Sequence, residues 1–353
     1  MKTYHPQKLP VDINYGRLAK LLANAQFSLG RLDGLHNNLK EPKLLIAPLI
    51  TKEAAVSSKI EGTQSTVRDV FLHEAGEETR FKDVIEVANY KRAMEYAIVE
   101  LKKKPLTLNL IKELHGILLN QARGGGIRGD FRRDQVWIGK AGVPIEQATY
   151  IPPENSLILE YMDNLEKYIH KEDEDILIQA ALLHYQFEAI HPFNDGNGRI
   201  GRLLIPLFLH YKGKISLPIL YLSGYFEAHK DAYIDALHNV DVKLDYESWI
   251  EYFLNAVIEQ SIQTQDLIQK ILKLFDEINK KTESSKSPYM FRLIEFIFKR
   301  PIFTAPQAVQ ELHADRSTIK RLQDELVNLG IIRELPLEKR KKIYVFGDLL
   351  KLI

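Results

Sequence analysis

Cysteine is absent from this chain of 353 residues, and so are a strong charge bias and any long uncharged apolar run. The missing thiols exclude disulfides and thiolate zinc sites. A formal net charge of +1 gives no overall pull toward nucleic acid or an anionic membrane. No apolar run approaches the ~20 residues needed to span a bilayer. The longest candidate, Leu203 to Leu209, reads as a buried helix. The opening Met1-Lys2-Thr3-Tyr4-His5-Pro6 has no apolar core of a signal peptide. What remains is the expectation of a soluble cytoplasmic protein without a membrane partner. Its 27% charged and 45% hydrophobic content is ordinary for a globular chain, and its length allows two or three domains.

The most informative stretch is His191-Pro192-Phe193-Asn194-Asp195-Gly196-Asn197-Gly198-Arg199-Ile200-Gly201-Arg202, followed at once by Leu203-Leu204-Ile205-Pro206-Leu207-Phe208-Leu209. This pattern reads as a loop opening into a buried helix. Such a loop aims backbone N–H groups and the positive end of the helix dipole at one spot, a natural anion site. Its glycines let the backbone approach an anion closely. Arg199 and Arg202 add forked donors suited to phosphate oxygens. Asp195 can hold a hard cation such as Mg²⁺, and His191 can take a proton from an attacking hydroxyl. Together these residue types form a parts list for transfer of a nucleotide phosphate group.

The stretch matches the signature H-x-F-x-(D/E)-G-N-G-R-x-x-R at every defined position, and here the chain resembles the Fic (filamentation induced by cAMP) family. Ordinary residue usage would produce this match only ~10⁻¹⁰ times per site. The resemblance implies an ATP-dependent protein adenylyltransferase, moving AMP to a Ser, Thr or Tyr hydroxyl of a target protein with loss of pyrophosphate. It implies that His191 deprotonates the target hydroxyl and that Asp195 holds Mg²⁺ against the α- and β-phosphates. The backbone of Gly196, Asn197 and Gly198 would cradle the α-phosphate, with Ile200 and Gly201 in the same turn. Arg199 and Arg202 would grip the β- and γ-phosphates, and Phe193 would anchor the loop. A Doc-type relative that phosphorylates its target carries Lys where Gly198 stands, so Gly198 argues for nucleotidyl transfer. Tyr225, with Tyr221 and Ser223, follows where relatives build the adenine pocket. His229 stands where relatives often have Asn.

Two further segments resemble the family. Val136-Trp137-Ile138-Gly139 and Ala148 to Pro153 read as two short strands, matching the hairpin flap that docks the target backbone by strand addition. Ser57-Ser58-Lys59-Ile60-Glu61-Gly62, at the end of a helix over about 44–60, matches the inhibitory pattern (S/T)-x-x-x-E-(G/N). The implied mechanism is electrostatic: Glu61 pairs with Arg202 and occupies the charge that the γ-phosphate needs, with Ser57 and Gly62 completing the motif. A glutamate so placed could also direct water at an AMP-modified target.

Elsewhere, apolar spacing predicts helices over 12–40, 110–121, 155–170, 173–189, 226–240 and 245–280. Gly124-Gly125-Gly126 breaks the chain before the flap, and Ser284 to Pro288 reads as a linker. His184 and Glu188 share a helix face, and a buried hydrogen-bonded histidine outweighs a metal ligand there. From Lys286 onward 13 Lys/Arg stand against 8 Asp/Glu, so this part is about +5 and the remainder about −4. Helical segments at 290–299, 305–312 and 316–329, then strands at 331–334 and 342–346, resemble a winged helix-turn-helix. Arg316, Lys320 and Arg321 on its recognition helix could meet DNA phosphates, or the module could dock protein. The expected architecture is mainly α: a Fic-type helical core with a short β-hairpin flap, plus a C-terminal winged helix-turn-helix domain. The expected domains are 1–105, 106–285 and 286–353. ATP, Mg²⁺ and a hydroxyl-bearing protein target are the expected ligands, with a homodimer as in many relatives. The alternative from another class is a DNA-binding regulator whose core senses nucleotide.

Overall fold

The computed structural model describes residues 3–35, 43–77, 83–122, 127–139, 142, 144–335 and 342–353. The Gly124-Gly125-Gly126 break, the far end of the first predicted helix and the tip of the flap lie outside these residues.

Two central helices carry the fold. α7 (Ile176–Ile190) is buried on nearly every face, as its almost unbroken apolar sequence requires. It starts where Asp175 accepts from the Leu177 N–H at 2.8 Å, an N-cap. α8 (Asn197–Tyr211) packs against it after a six-residue loop. Around this pair stand α4 (Val84–Glu100), α5 (Leu108–Leu118) and α6 (Ile158–Ile169). α1 (Tyr15–Gly34) lies along α11 (Tyr246–Lys281), the longest helix. α9 (Ser223–Ala228) and α10 (Lys230–Lys243) form two helices where the sequence spacing predicts one; His229 interrupts them with non-helical backbone angles.

α2 (Lys43–Ile60) crosses this assembly and packs against α4, α8 and α9. Its end is set by Gly62, at φ +90°. The Gly62 N–H bonds the Lys59 carbonyl at 2.9 Å and the Thr63 N–H bonds the Ser58 carbonyl at 3.2 Å. This is the Schellman arrangement, which needs a left-handed residue and so favours glycine there. It leaves Glu61 as the C-cap, held in register by the helix behind it.

α3 (Val67–Glu74) and α4 occupy a stretch that the sequence reading left unassigned. The C-terminal part contains α12 (Tyr289–Lys299), β1 (Ile302–Thr304), α13 (Ala305–Leu312), α14 (Arg316–Asn328), β2 (Arg333–Glu334), β3 (Ile343–Val345) and α15 (Gly347–Leu352). The strands form an antiparallel sheet of order β1-β3-β2, with Ile302 opposite Val345 and Arg333 opposite the same residue. β1 and α15 are additions to the predicted elements. α12 rests on α2, and β1 on α3. Phe71 and Ala75 of the α3 region are buried with Ile302, Ile343 and Val345. Gln307 caps α13, its Oε1 accepting from the Thr304 N–H at 2.9 Å, and joins the two regions through its Nε2, which donates to the Glu74 carbonyl at 2.7 Å. The fold is thus mainly helical, and no described helix is long and apolar enough to cross a membrane.

Among the described residues the predicted hairpin shows one β-bridge, Ile138 with Tyr150. The Ile138 N–H donates to the Tyr150 carbonyl at 2.8 Å, and the Thr149 N–H returns to the Ile138 carbonyl at 2.8 Å.

Candidate active site

The loop between α7 and α8 is built by its own side chains. His191 ends α7 in the left-handed region (φ 51°), which turns the chain sharply out of the helix. The Asn197 amide then ties the loop both ways, accepting from the Phe193 N–H and donating to the Phe193 carbonyl, each at 2.8 Å. Gly196, at φ 77°, lies against Leu118 and Leu119, where a left-handed residue with a side chain would be strained and crowded. Phe193 is fully buried and stacks on the His115 ring. The outcome is a tight turn that delivers the start of α8 to a cleft of about 1120 Å³.

His191, Gly198 and Arg202 line this cleft together with Glu61, Glu188, Lys230, Tyr233 and the flap residues Trp137, Ile138 and Gly139. The His191 Nδ1 lies 3.3 Å from the Glu188 carbonyl, which can only accept, so Nδ1 carries the proton and Nε2 the lone pair. Burial pushes the His191 imidazole down to about 4, keeping it a neutral base at ordinary pH. Asp195 is 40% exposed, with its Oδ1 2.5 Å from the Gly196 N–H and 3.4 Å from Arg199. Among the described residues no group of three or more His, Asp or Glu converges as a metal cage. Arg199 is held by Glu86 at 2.9 Å.

Arg202 is 2% exposed and is fastened to the end of α2 by three bonds. Its Nε donates to Ser57 Oγ at 2.9 Å, and its Nη2 donates to the Ser57 carbonyl at 3.0 Å and to Glu61 Oε1 at 2.7 Å. Burial works against the charge of Glu61, but the Arg202 guanidinium outweighs it and holds this carboxyl below its ordinary range. Glu61 itself remains 42% exposed toward the cleft. Gly198 faces this ion pair so closely that a Cβ there would overlap the Glu61 carboxylate and sit 2.9 Å from Arg202 Nη1. Two neighbouring elements steady α2 at this point: Lys230 donates to the Ile60 carbonyl at 2.6 Å, and Lys59 pairs with Glu227 at 2.8 Å.

Other residues of the predicted site lie elsewhere. Ile200 is fully buried and its side chain belongs to the core. A Cβ on Gly201 would collide with the Glu188 carboxylate. Val136 approaches the flap bridge without lining the cleft. Tyr225 packs between His229 and Tyr252, with ring centroids 4.3 and 5.3 Å away, and is not brought into the cleft. His184 is buried, its Nε2 2.8 Å from the Tyr233 hydroxyl, within a stack of Phe226, Tyr233 and Trp249.

Three further positions stand at the candidate site, and the sequence motifs assign none of them to it. Glu188 is half-buried at the wall of the cleft, and burial raises its carboxyl to about 8. Arg132 is buried, and among the described residues its side chain bonds carbonyls rather than a carboxylate. It donates to the carbonyls of His191 at 2.9 Å, Asp134 at 3.0 Å and Pro153 at 2.6 Å, while its own N–H bonds the Pro192 carbonyl at 2.9 Å. It therefore locks the loop to both arms of the flap. His115 joins the loop from α5, and burial lowers its imidazole to about 4.

A base, an anion-binding turn and a buried arginine thus share one cleft, and similarity to known proteins bears on the same residues. A Fic/DOC family N-terminal model matches residues 19–99 and a Fic/DOC family model matches residues 105–209. The chain carries Fic/DOC family domains. The protein adenylyltransferase Fic of Drosophila melanogaster is 34% identical over 135 residues, which is 36% of this chain and 25% of that protein. A probable protein adenylyltransferase of Aquifex aeolicus is 28% identical over 149 residues, 39% of this chain and 46% of that protein. The chain therefore matches a quarter to a half of these relatives' lengths. A Fic family protein from Desulfovibrio desulfuricans has the same fold over 98% of this chain and 99% of its own, with a TM-score of 0.62 at 20% identity. A Fic-1 fragment from C. elegans matches 71% of this chain and 74% of its own at 20% identity, with a TM-score of 0.54. The Fic domain match ends at residue 209, so it contains α7, the loop and all but the last two residues of α8.

Proposed function

We propose that this Fic-domain chain is a protein adenylyltransferase that moves AMP from ATP to a Ser, Thr or Tyr hydroxyl of a target protein. The observation that carries the reading is the neutral His191, its Nε2 lone pair available, beside the anion turn at the head of α8. In the reaction, His191 Nε2 takes the hydroxyl proton as the oxygen attacks the α-phosphorus. The bond from the α-phosphorus to the bridging oxygen breaks and pyrophosphate leaves, giving a phosphodiester on the target. The N–H groups from Gly196 to Gly198 hold the α-phosphate oxygens, and Arg199 and Arg202 hold the outer phosphates. Asp195 is a half-exposed single carboxylate, which fits Mg²⁺ bound largely by phosphates and water. Mg²⁺ would supply charge neutralisation of the leaving pyrophosphate. The exposed Trp137 and Ile138 offer the edge on which a target strand docks.

In this reading the Glu61–Arg202 pair is inhibitory. Arg202 gives its Nε and Nη2 donors to Ser57 and Glu61, so the γ-phosphate competes with α2's end for them. Glu61 shares the cleft with His191, which also supports water-directed removal of AMP as a second activity. Residues 1–105, 106–285 and 286–353 serve as the working domains. The last has the order of a winged helix-turn-helix, with Arg316, Lys320 and Arg321 exposed on α14, and DNA or a second protein is its proposed ligand. A cytoplasmic homodimer completes the proposal.

The test is intact mass after incubation with ATP and Mg²⁺. Self-modification by AMP units should rise in Glu61→Gly and vanish when His191→Ala is added. Addition of phosphate alone would reassign the chain to phosphoryl transfer. No adduct, combined with a salt-sensitive and sequence-specific DNA shift, would favour the nucleotide-sensing regulator.

A further inference from the structure

We infer that His115 is a positioning residue for Asp195, setting the carboxylate that the proposed reaction assigns to the divalent cation. This inference rests on that proposed function. His115 stands on α5, outside the signature loop, and is fully buried. Its Nδ1 lies 3.0 Å from the Gly129 amide nitrogen. A backbone N–H can only donate, so Nδ1 is the acceptor and the ring proton is on Nε2. Nε2 then donates to the Asp195 carbonyl, 3.0 Å away. The tautomer is therefore fixed by the two partners.

The Asp195 carbonyl and the Gly196 N–H belong to one planar peptide unit. Pinning the oxygen on one side fixes the direction of the N–H on the other. That N–H meets the Asp195 carboxylate at 2.5 Å. The line runs from the His115 ring through one rigid peptide to the carboxylate itself. Stacking keeps the ring from rotating: its centroid is 3.8 Å from that of Phe193, with planes 6° apart. Its other bond reaches the segment that leads to the flap, so one imidazole registers the anion turn against the flap's base. Metal ligands are commonly oriented by such outer partners, whose removal weakens metal binding ~10- to 100-fold.

The two nitrogens can be tested apart. Glutamine places an amide N–H near the Nε2 position, and asparagine places a carbonyl near Nδ1. In a Glu61→Gly background, the measurement is binding of the fluorescent nucleotide mant-ATP titrated with Mg²⁺, with thermal melts of each variant. His115→Asn should raise the Mg²⁺ needed for half-maximal binding about 10-fold, with metal-free nucleotide affinity within about twofold of the parent. His115→Gln should stay within about threefold of the parent. Equal Mg²⁺ requirements in all three proteins would overturn the inference. So would parallel shifts in both variants that track their loss of melting temperature, since that pattern marks a purely structural ring. If Mg²⁺ has no effect on nucleotide binding by the Glu61→Gly parent itself, the proposed active site fails first, and the role of His115 fails with it.

Discussion

Replacing Glu61 with glutamine keeps the size of the side chain and removes its charge. In the native chain Glu61 Oε1 meets Arg202 at 2.7 Å, with Arg202 2% and Glu61 42% exposed. A hydrogen bond to a charged group contributes about 1.5–3 kcal/mol, and water on the Glu61 side weakens that toward about 1–2 kcal/mol. The same interaction acts on two equilibria with opposite signs. Arg202 loses its charged partner but keeps two bonds to Ser57, so the fold should lose about 1–2 kcal/mol, a few degrees of melting temperature. The γ-phosphate no longer competes with a carboxylate, so Mg²⁺-ATP affinity should rise by about 5- to 30-fold. The assay is a pair of melting curves with and without Mg²⁺-ATP, alongside AMP incorporation by intact mass. Glu61→Gln should melt below the native chain when empty and gain more from nucleotide than the native chain does. A variant that melts lower yet gains no extra stabilisation, and incorporates no more AMP, would show that the pair is structural and would falsify the inhibitory reading.

Four other outcomes follow from the same geometry. Adding His191→Ala to Glu61→Gly should cut AMP incorporation by about 10²- to 10⁴-fold while leaving nucleotide binding nearly intact, as filter binding would show. Burial lowers His191 to about 4 from its ordinary 6.5, so the neutral base predominates at every pH above that value. The rate in Glu61→Gly should therefore stay level down to about pH 5 before its acid limb, and a limb centred near 6.5 would contradict the buried base. The linked stability has the same sign: it is fully present above pH 6.5 and is lost as pH falls from 6.5 toward 4. Arg132→Met should cost about 2–4 kcal/mol in urea unfolding, because three carbonyls lose a charged donor that nothing nearby replaces.

The site was legible where chemistry is contiguous in the chain. His191 through Arg202 needs no tertiary knowledge: a left-handed turn, an anion-binding helix start and two arginines follow one another within twelve residues. Several helices are also legible in outline, since Asp175, Gln307 and Asp315 supply capping bonds from side chains visible in the sequence. The rest depends on contacts between distant residues. Arg132 and His115 act 59 and 80 positions away from their loop partners, and neither sits in a motif. α4 is not legible because its buried face includes Glu86, Asn89 and Lys91 as well as apolar residues, which blurs the periodicity. The two arms of the flap are legible from their strand-like composition, and among the described residues they meet in one bridge, Ile138 with Tyr150. Tyr225 was placed by its order after α8, whereas α9 turns it toward Tyr252.

The packing of the C-terminal elements on α2 and α3 makes one more consequence testable. Ile302 of β1 is buried against Phe71 of α3, and α12 rests directly on α2, whose end carries Glu61. A shift of α2 on this face would move the platform from which Glu61 reaches Arg202. Ile302→Val deletes one buried methyl group at a cost of about 0.5–1.5 kcal/mol, enough to loosen the contact without unfolding it. If the platform holds Glu61 in place, this change should raise basal AMP incorporation about two- to tenfold in the native background. In Glu61→Gly it should do nothing, because the contact it loosens acts only through that carboxylate, and the double-mutant cycle isolates the coupling. An equal rise in both backgrounds would mean that the C-terminal elements act on the cleft by another route. No rise in either would make their packing on α2 a matter of stability alone.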